Sequence, residues 1–140
     1  AIAGIAVVYV SNSIVNTMKV NWGRFRPYEV KEIVSSTKGT FTNWWHLNGQ
    51  TGHQSFPSGH TIAAAAALFL PFFADRKNLK GQKILAYSGF VFTLLMMAAR
   101  VRIGAHFLSD TTMSLIIASL VTLVATKAIG YSFIEEESLN

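Results

Sequence analysis

The sequence predicts an all-α fold, a membrane-embedded bundle of four apolar helices, and three observations carry that prediction. Of the 140 residues, 51% are hydrophobic and only 14% are charged, against roughly 25% charged in an ordinary soluble domain. Residues 1–18, 61–74, 84–99 and 111–126 each contain no acidic or basic side chain. Helices that are apolar all round must be buried or in lipid, and a chain this short cannot bury four of them in water.

Taken in order, the first segment opens on Ala1-Ile2-Ala3-Gly4, with no initiator Met and no basic leader. It therefore reads as the interior of a helix, with N-terminal sequence expected ahead of it. Residues 28–56 form a long loop carrying Glu29, Glu32, Trp44, Trp45, His46 and His53. The Trp pair suits either an interfacial anchor or ordinary loop packing. A Pro57-Ser58-Gly59-His60 turn leads into the second segment. There, Ala63–Ala67 would let a neighbouring helix come close, and Pro71 should kink the helix near its end. Residues 75–83 carry four positive charges, which places this short loop in the cytoplasm by the positive-inside tendency. The fourth segment is approached from Phe107, and Glu135-Glu136-Glu137 reads as a solvated tail. Each run is shorter than the ~20 residues of a full span, so the spans are expected to extend into the polar residues at their ends. By length, residues 1–140 make one domain.

Composition also limits function. Net charge is +5, but the cations form short clusters between apolar runs rather than a water-facing patch. That distribution fits anionic lipid head groups or a phosphate substrate, and it argues against nucleic acid as a partner. There is no cysteine, so thiolate chemistry is excluded and a zinc site would need His and carboxylate ligands alone.

If each apolar run crosses once, the clusters 19–27, 57–60 and 100–110 fall on one face of the bundle and the loop 75–83 on the other. Lys19, Arg24, Arg26, His60, Arg100, Arg102, His106 and Asp110 would then meet. Lys and Arg together clamp phosphate, the guanidinium fork matching its oxygens. Ser58-Gly59-His60 opens a helix, where free backbone N–H groups bind anions. His106 and Asp110 stand i, i+4 and share a helix face. A carboxylate behind an imidazole fixes its tautomer and readies the other nitrogen for attack, leaving His60 to protonate the departing alkoxide. Taken singly, Lys19 at a helix end snorkels, and Arg24 reads best as a plain interfacial charge. Arg102 stands open between that reading and an accessory role, and His46 and His53 read as loop residues. Asp110 is the only acid that stands next to an apolar segment rather than in a loop or tail, and such acids are functional by default. Zinc on His60, His106 and Asp110 is the rival chemistry, opposed by the cations that would crowd the metal.

Lys19-(six residues)-Arg26-Pro27, Pro57-Ser58-Gly59-His60 and Arg100-(five residues)-His106-(three residues)-Asp110 together resemble the three-part signature of the type 2 phosphatidic acid phosphatases. That superfamily also holds bacterial acid phosphatases and vanadium haloperoxidases. The resemblance implies His106 as a nucleophile forming a phosphohistidine, with Asp110 holding it and His60 as the acid. Lys19, Arg26, Ser58, Gly59 and Arg100 would bind phosphate, with no metal or other cofactor. It further implies a six-helix core of which these are the last four helices, in a bacterial-type inner membrane, with the site on the non-cytoplasmic face. One position departs: Ala99 stands where the family usually has Ser, losing a hydroxyl donor worth about 1–2 kcal/mol. The expected activity is metal-independent hydrolysis of a lipid phosphomonoester or diphosphate. Alternatives are a lipid phosphotransferase using the same intermediate, a soluble-type acid phosphatase, and a non-catalytic binder of anionic lipids.

Overall fold

The computed structural model describes residues 2–30, 41–75 and 77–128; the acidic tail and Glu32 lie outside these. The described residues form helices joined by loops and turns, with no strand among them. Four elements form the bundle: α1 (Ile2–Trp22), α2 (Gly59–Ala65) continuing as a 3₁₀ stretch (Ala66–Phe73), α3 (Leu79–Arg102) and α4 (Leu108–Ala128). Each matches one predicted apolar run and extends past it into the flanking polar motif.

Local chemistry sets the ends. Ser58 caps α2, its Oγ accepting from the Thr61 backbone N–H at 3.4 Å, and Asn78 caps α3 through the Gly81 N–H at 2.8 Å. Asp110 lies in the first turn of α4 and accepts from the Phe107 backbone N–H at 2.8 Å. This is the returning half of a capping box. Gly23 ends α1 at φ +51°, and a Cβ there would stand 2.1 Å from the Gly49 carbonyl oxygen, so only glycine fits. The predicted kink at Pro71 takes the form of the 3₁₀ stretch, in which Pro71 is buried.

The core sits between α1, α2 and α4, where Val15, Ile62, Ala65, Ile117 and Ala118 pack together against Met18, Leu68, Met113 and Val121. The alanine run does admit a close neighbour. A Cβ on Gly89 of α3 would lie 2.3 Å from the Ala67 carbonyl oxygen. Beside it, Thr93 Oγ1 donates to the Gly89 carbonyl at 2.8 Å. The outer faces remain apolar: Tyr87, Val91 and Leu95 on α3 and Leu120 and Val124 on α4 are exposed. Both helices are long and apolar enough to cross a membrane, and less than a quarter of the apolar stretch of each is buried.

The loop after α1 folds over one end of the bundle. Ser55 N–H donates to the Arg24 carbonyl at 2.9 Å, Tyr28 N–H to the Gly104 carbonyl at 3.1 Å, and Ser58 N–H to the Asp110 carbonyl at 3.2 Å. These bonds join the three polar clusters of the sequence. Trp44 and Trp45 stack edge to face with ring centres 5.6 Å apart and are both exposed.

Candidate active site

Lys19, Arg26, His60, Arg100 and His106 converge where α1, α2 and the α3–α4 turn meet. Lys19 is in the last turn of α1 and its Nζ lies against Gly59, 3.2 Å from where a Cβ would stand. The missing side chain thus lets an ammonium group reach the first turn of α2. Arg100, in the last turn of α3, has a buried Nε with no hydrogen-bond partner among the described residues. A buried guanidinium nitrogen without a partner is expensive unless an anion completes it. Arg26 and Arg100 bear electrostatically on both Lys19 and His60.

His106 is almost fully buried, and its Nδ1 lies 2.7 Å from the Ser55 carbonyl oxygen. A carbonyl can only accept, so Nδ1 must carry the proton. In the neutral ring the lone pair is then on Nε2, as a nucleophile requires. The i, i+4 spacing suggested that Asp110 would set this tautomer. The structure differs: Asp110 Oδ2 is 3.8 Å from Nδ1, beyond hydrogen-bond range. The helix start explains why, because Oδ2 is engaged with the Phe107 N–H and with Ser55 Oγ at 2.6 Å.

His60 is exposed at the mouth of the site, ahead of the apolar segment 61–74. Partial desolvation, then the charges of Arg100, His106, Lys19 and Arg26, push its pKa below the ordinary 6.5. Ser58 is fully buried, its oxygen within hydrogen-bond distance of the Thr61 backbone N–H and hydroxyl. Arg102 is exposed in the last turn of α3 and Ala99 is exposed one turn earlier. His46 is exposed in the loop, while His53 stacks on Phe25 at 3.8 Å and pairs with Glu29 at 3.3 Å. Among the described residues, no three His, Asp or Glu side chains cluster as metal ligands.

The sequence profile of the PAP2 superfamily matches residues 1–134. The chain belongs to the PAP2 superfamily. It is also similar to phosphatidylglycerophosphatase B of Haemophilus influenzae, at 33% identity over 98 residues, covering 67% of this chain and 38% of that protein. The chain therefore spans well under half the length of that relative. No solved structure matches it.

Within this PAP2 site, Arg24 requires a correction. It is not an interfacial charge: it is 2% exposed and ion-paired with Asp110. Its Nη1 also donates to Ser109 Oγ at 2.8 Å and its Nε to the Thr42 carbonyl at 3.0 Å. The guanidinium lies 4.2 Å from the Phe107 ring centre. Ser55, fully buried, was not singled out from the sequence. The available clue was Asp110 itself, since a carboxylate beside an apolar helix requires a counter-charge.

Proposed function

We propose that this chain is the catalytic portion of an integral membrane phosphatase that hydrolyses a lipid phosphomonoester or diphosphate without a metal. The observation that carries the reading is the Ser55 carbonyl on His106 Nδ1, which in the neutral imidazole puts the lone pair on Nε2. Lys19, Arg26, Arg100, Ser58 and the Gly59 N–H hold the phosphate oxygens. His106 Nε2 attacks phosphorus, the bond to the leaving oxygen breaks, and His60 gives that oxygen its proton. The phosphorylated imidazole gains positive charge, which the Asp110 carboxylate stabilises from 3.8 Å. Water then attacks the phosphohistidine, yielding its proton to the now neutral His60, and inorganic phosphate leaves.

The lipid part of the reading is supported by the exposed apolar faces of α3 and α4. Similarity to the Haemophilus phosphatidylglycerophosphatase adds support for a glycerophospholipid phosphate. Phosphatidic acid, phosphatidylglycerophosphate, polyprenyl diphosphates and lipid A phosphates form the substrate class to assay. The expected loop 75–83 is shorter in the structure, because α3 already begins at Leu79. The basic residues Lys77, Lys80 and Lys83 at this opposite end support a site on the non-cytoplasmic face of a bacterial inner membrane. The described loop residues 41–56 then lie at the head-group level, and the chain forms one phosphatase domain.

The test is phosphate release by the full-length enzyme. His106→Ala is expected to abolish release and labelling of the protein by ³²P, whereas EDTA leaves the wild type unaffected. Retained release in His106→Ala would overturn the nucleophile, and inhibition by EDTA the metal independence.

A further inference from the structure

We propose that Arg24, one of the six unspecified residues between Lys19 and Arg26 in the first motif, is the positioning residue that sets the tautomer and aim of His106. The proposal rests on the reading of His106 as nucleophile. Arg24 grips Ser55 by two routes. Its backbone carbonyl accepts from the Ser55 N–H at 2.9 Å. Its guanidinium pairs with Asp110 Oδ1, while Asp110 Oδ2 accepts from Ser55 Oγ at 2.6 Å. Both routes end on the residue whose carbonyl receives His106 Nδ1–H. Asp110 is thus held from one side by Arg24 and from the other by Ser55 and Phe107, and it serves as the bridge between them.

The chemistry calls for arginine specifically. The guanidinium uses separate N–H groups toward Asp110, Ser109 and Thr42 and offers its face to Phe107. An ammonium has neither the planar fork nor the stacking face. Arg24 and Asp110 are 2% and 0% exposed, so removing one charge leaves the other buried and unpaired. Arg24 is also committed to these partners, which separates it from Lys19, Arg26 and Arg100. Its loss should weaken the chemical step and leave phosphate binding intact.

The experiment uses the full-length protein in detergent, with wild type, Arg24→Gln, Arg24→Lys, Ser55→Ala and a His106→Ala control. Readouts are kcat, KM, inhibition by vanadate, and the rate of ³²P-phosphohistidine formation. Arg24→Gln is expected to lose about 100-fold in kcat and in phosphohistidine formation, the size of effect of a misaligned catalytic group. KM and the vanadate constant should move less than about threefold. Arg24→Lys should recover part of the loss by restoring the charge. Ser55→Ala keeps the carbonyl on His106 and loses only the hydroxyl on Asp110, so a drop of about tenfold is expected. The double variant Arg24→Lys/Ser55→Ala should lose less than the product of the two, because both act through Asp110.

A folded Arg24→Gln with wild-type kcat overturns the proposal. A KM that rises in step with the loss in kcat/KM also overturns it, by making Arg24 a phosphate ligand. Should Arg24→Gln fail to fold, wild-type kcat in both Arg24→Lys and Ser55→Ala overturns it instead. Activity retained in the His106→Ala control is a failure of the nucleophile reading, distinct from all of these.

Discussion

Gly59→Ala is a small perturbation with a computable effect on phosphate binding. The added Cβ would stand 3.2 Å from Lys19 Nζ and 3.8 Å from Lys19 Cε, closer than an ammonium group rests comfortably against a methyl group. Lys19 ends in a flexible stem, so the ammonium shifts while the backbone stays in place. A shift of about half an ångström lengthens an ammonium–phosphate contact from about 2.8 to about 3.3 Å. At an effective dielectric of about 20 this loses about 0.9 kcal/mol per phosphate charge, or about 1.8 kcal/mol for a dianion. KM should therefore rise about 5- to 20-fold, at about 1.4 kcal/mol per factor of ten. Gly59 is the first residue of α2, where alanine is the better helix former, so the melting temperature in detergent should hold or rise. The assay pairs steady-state kinetics on a short-chain lipid phosphate with thermal unfolding. An unchanged KM with intact stability would refute the placement of Lys19 over Gly59 in the bound complex.

The remaining predictions concern pH, packing and specificity. Because the His60 pKa lies below 6.5 in the free protein, the acid form is scarce at neutral pH. kcat/KM, which reports the free enzyme, should therefore fall with rising pH through a value under 6.5; a limb above 6.5 contradicts His60 as the acid. Gly89→Ala would press a methyl group onto the Ala67 carbonyl at 2.3 Å, a backbone contact that cannot yield locally. Unfolding in detergent should show a loss of about 1–3 kcal/mol. Arg102→Ala should lower turnover of lipid diphosphates more than that of monophosphates, and wild-type activity on both would remove Arg102 from the site.

The placement of the clusters was legible because each motif sits where an apolar run gives way to polar residues, and helix ends in a bundle share two faces. His60, His106, Lys19, Arg26 and Arg100 could be assembled on that basis. Ser55 was not legible, since what it offers His106 is a main-chain carbonyl, which any residue type would supply. Arg24 was misread because an arginine at a helix exit resembles any interfacial charge. Its burial depends on Thr42 and Phe107, 18 and 83 residues away in the chain. Asp110 was found by its isolation, yet its partners were misassigned, because i, i+4 spacing gives proximity without saying which competing donor wins. At the first turn of α4, the backbone N–H of Phe107 and the hydroxyl of Ser55 are better aligned.

The 3₁₀ stretch Ala66–Phe73 also affects how far the second helix reaches. With α2 it contains only fifteen residues, which as a regular α-helix would extend about 22 Å. A 3₁₀ helix rises about 2.0 Å per residue rather than about 1.5 Å, so the same residues extend about 26 Å. That length approaches the roughly 30 Å of bilayer hydrocarbon. In the membrane setting proposed above, the tighter winding lets a short segment start beside the phosphate and still reach close to the opposite head groups. A substitution that restored regular α-helix there would draw the connection to α3 inward by about 4 Å.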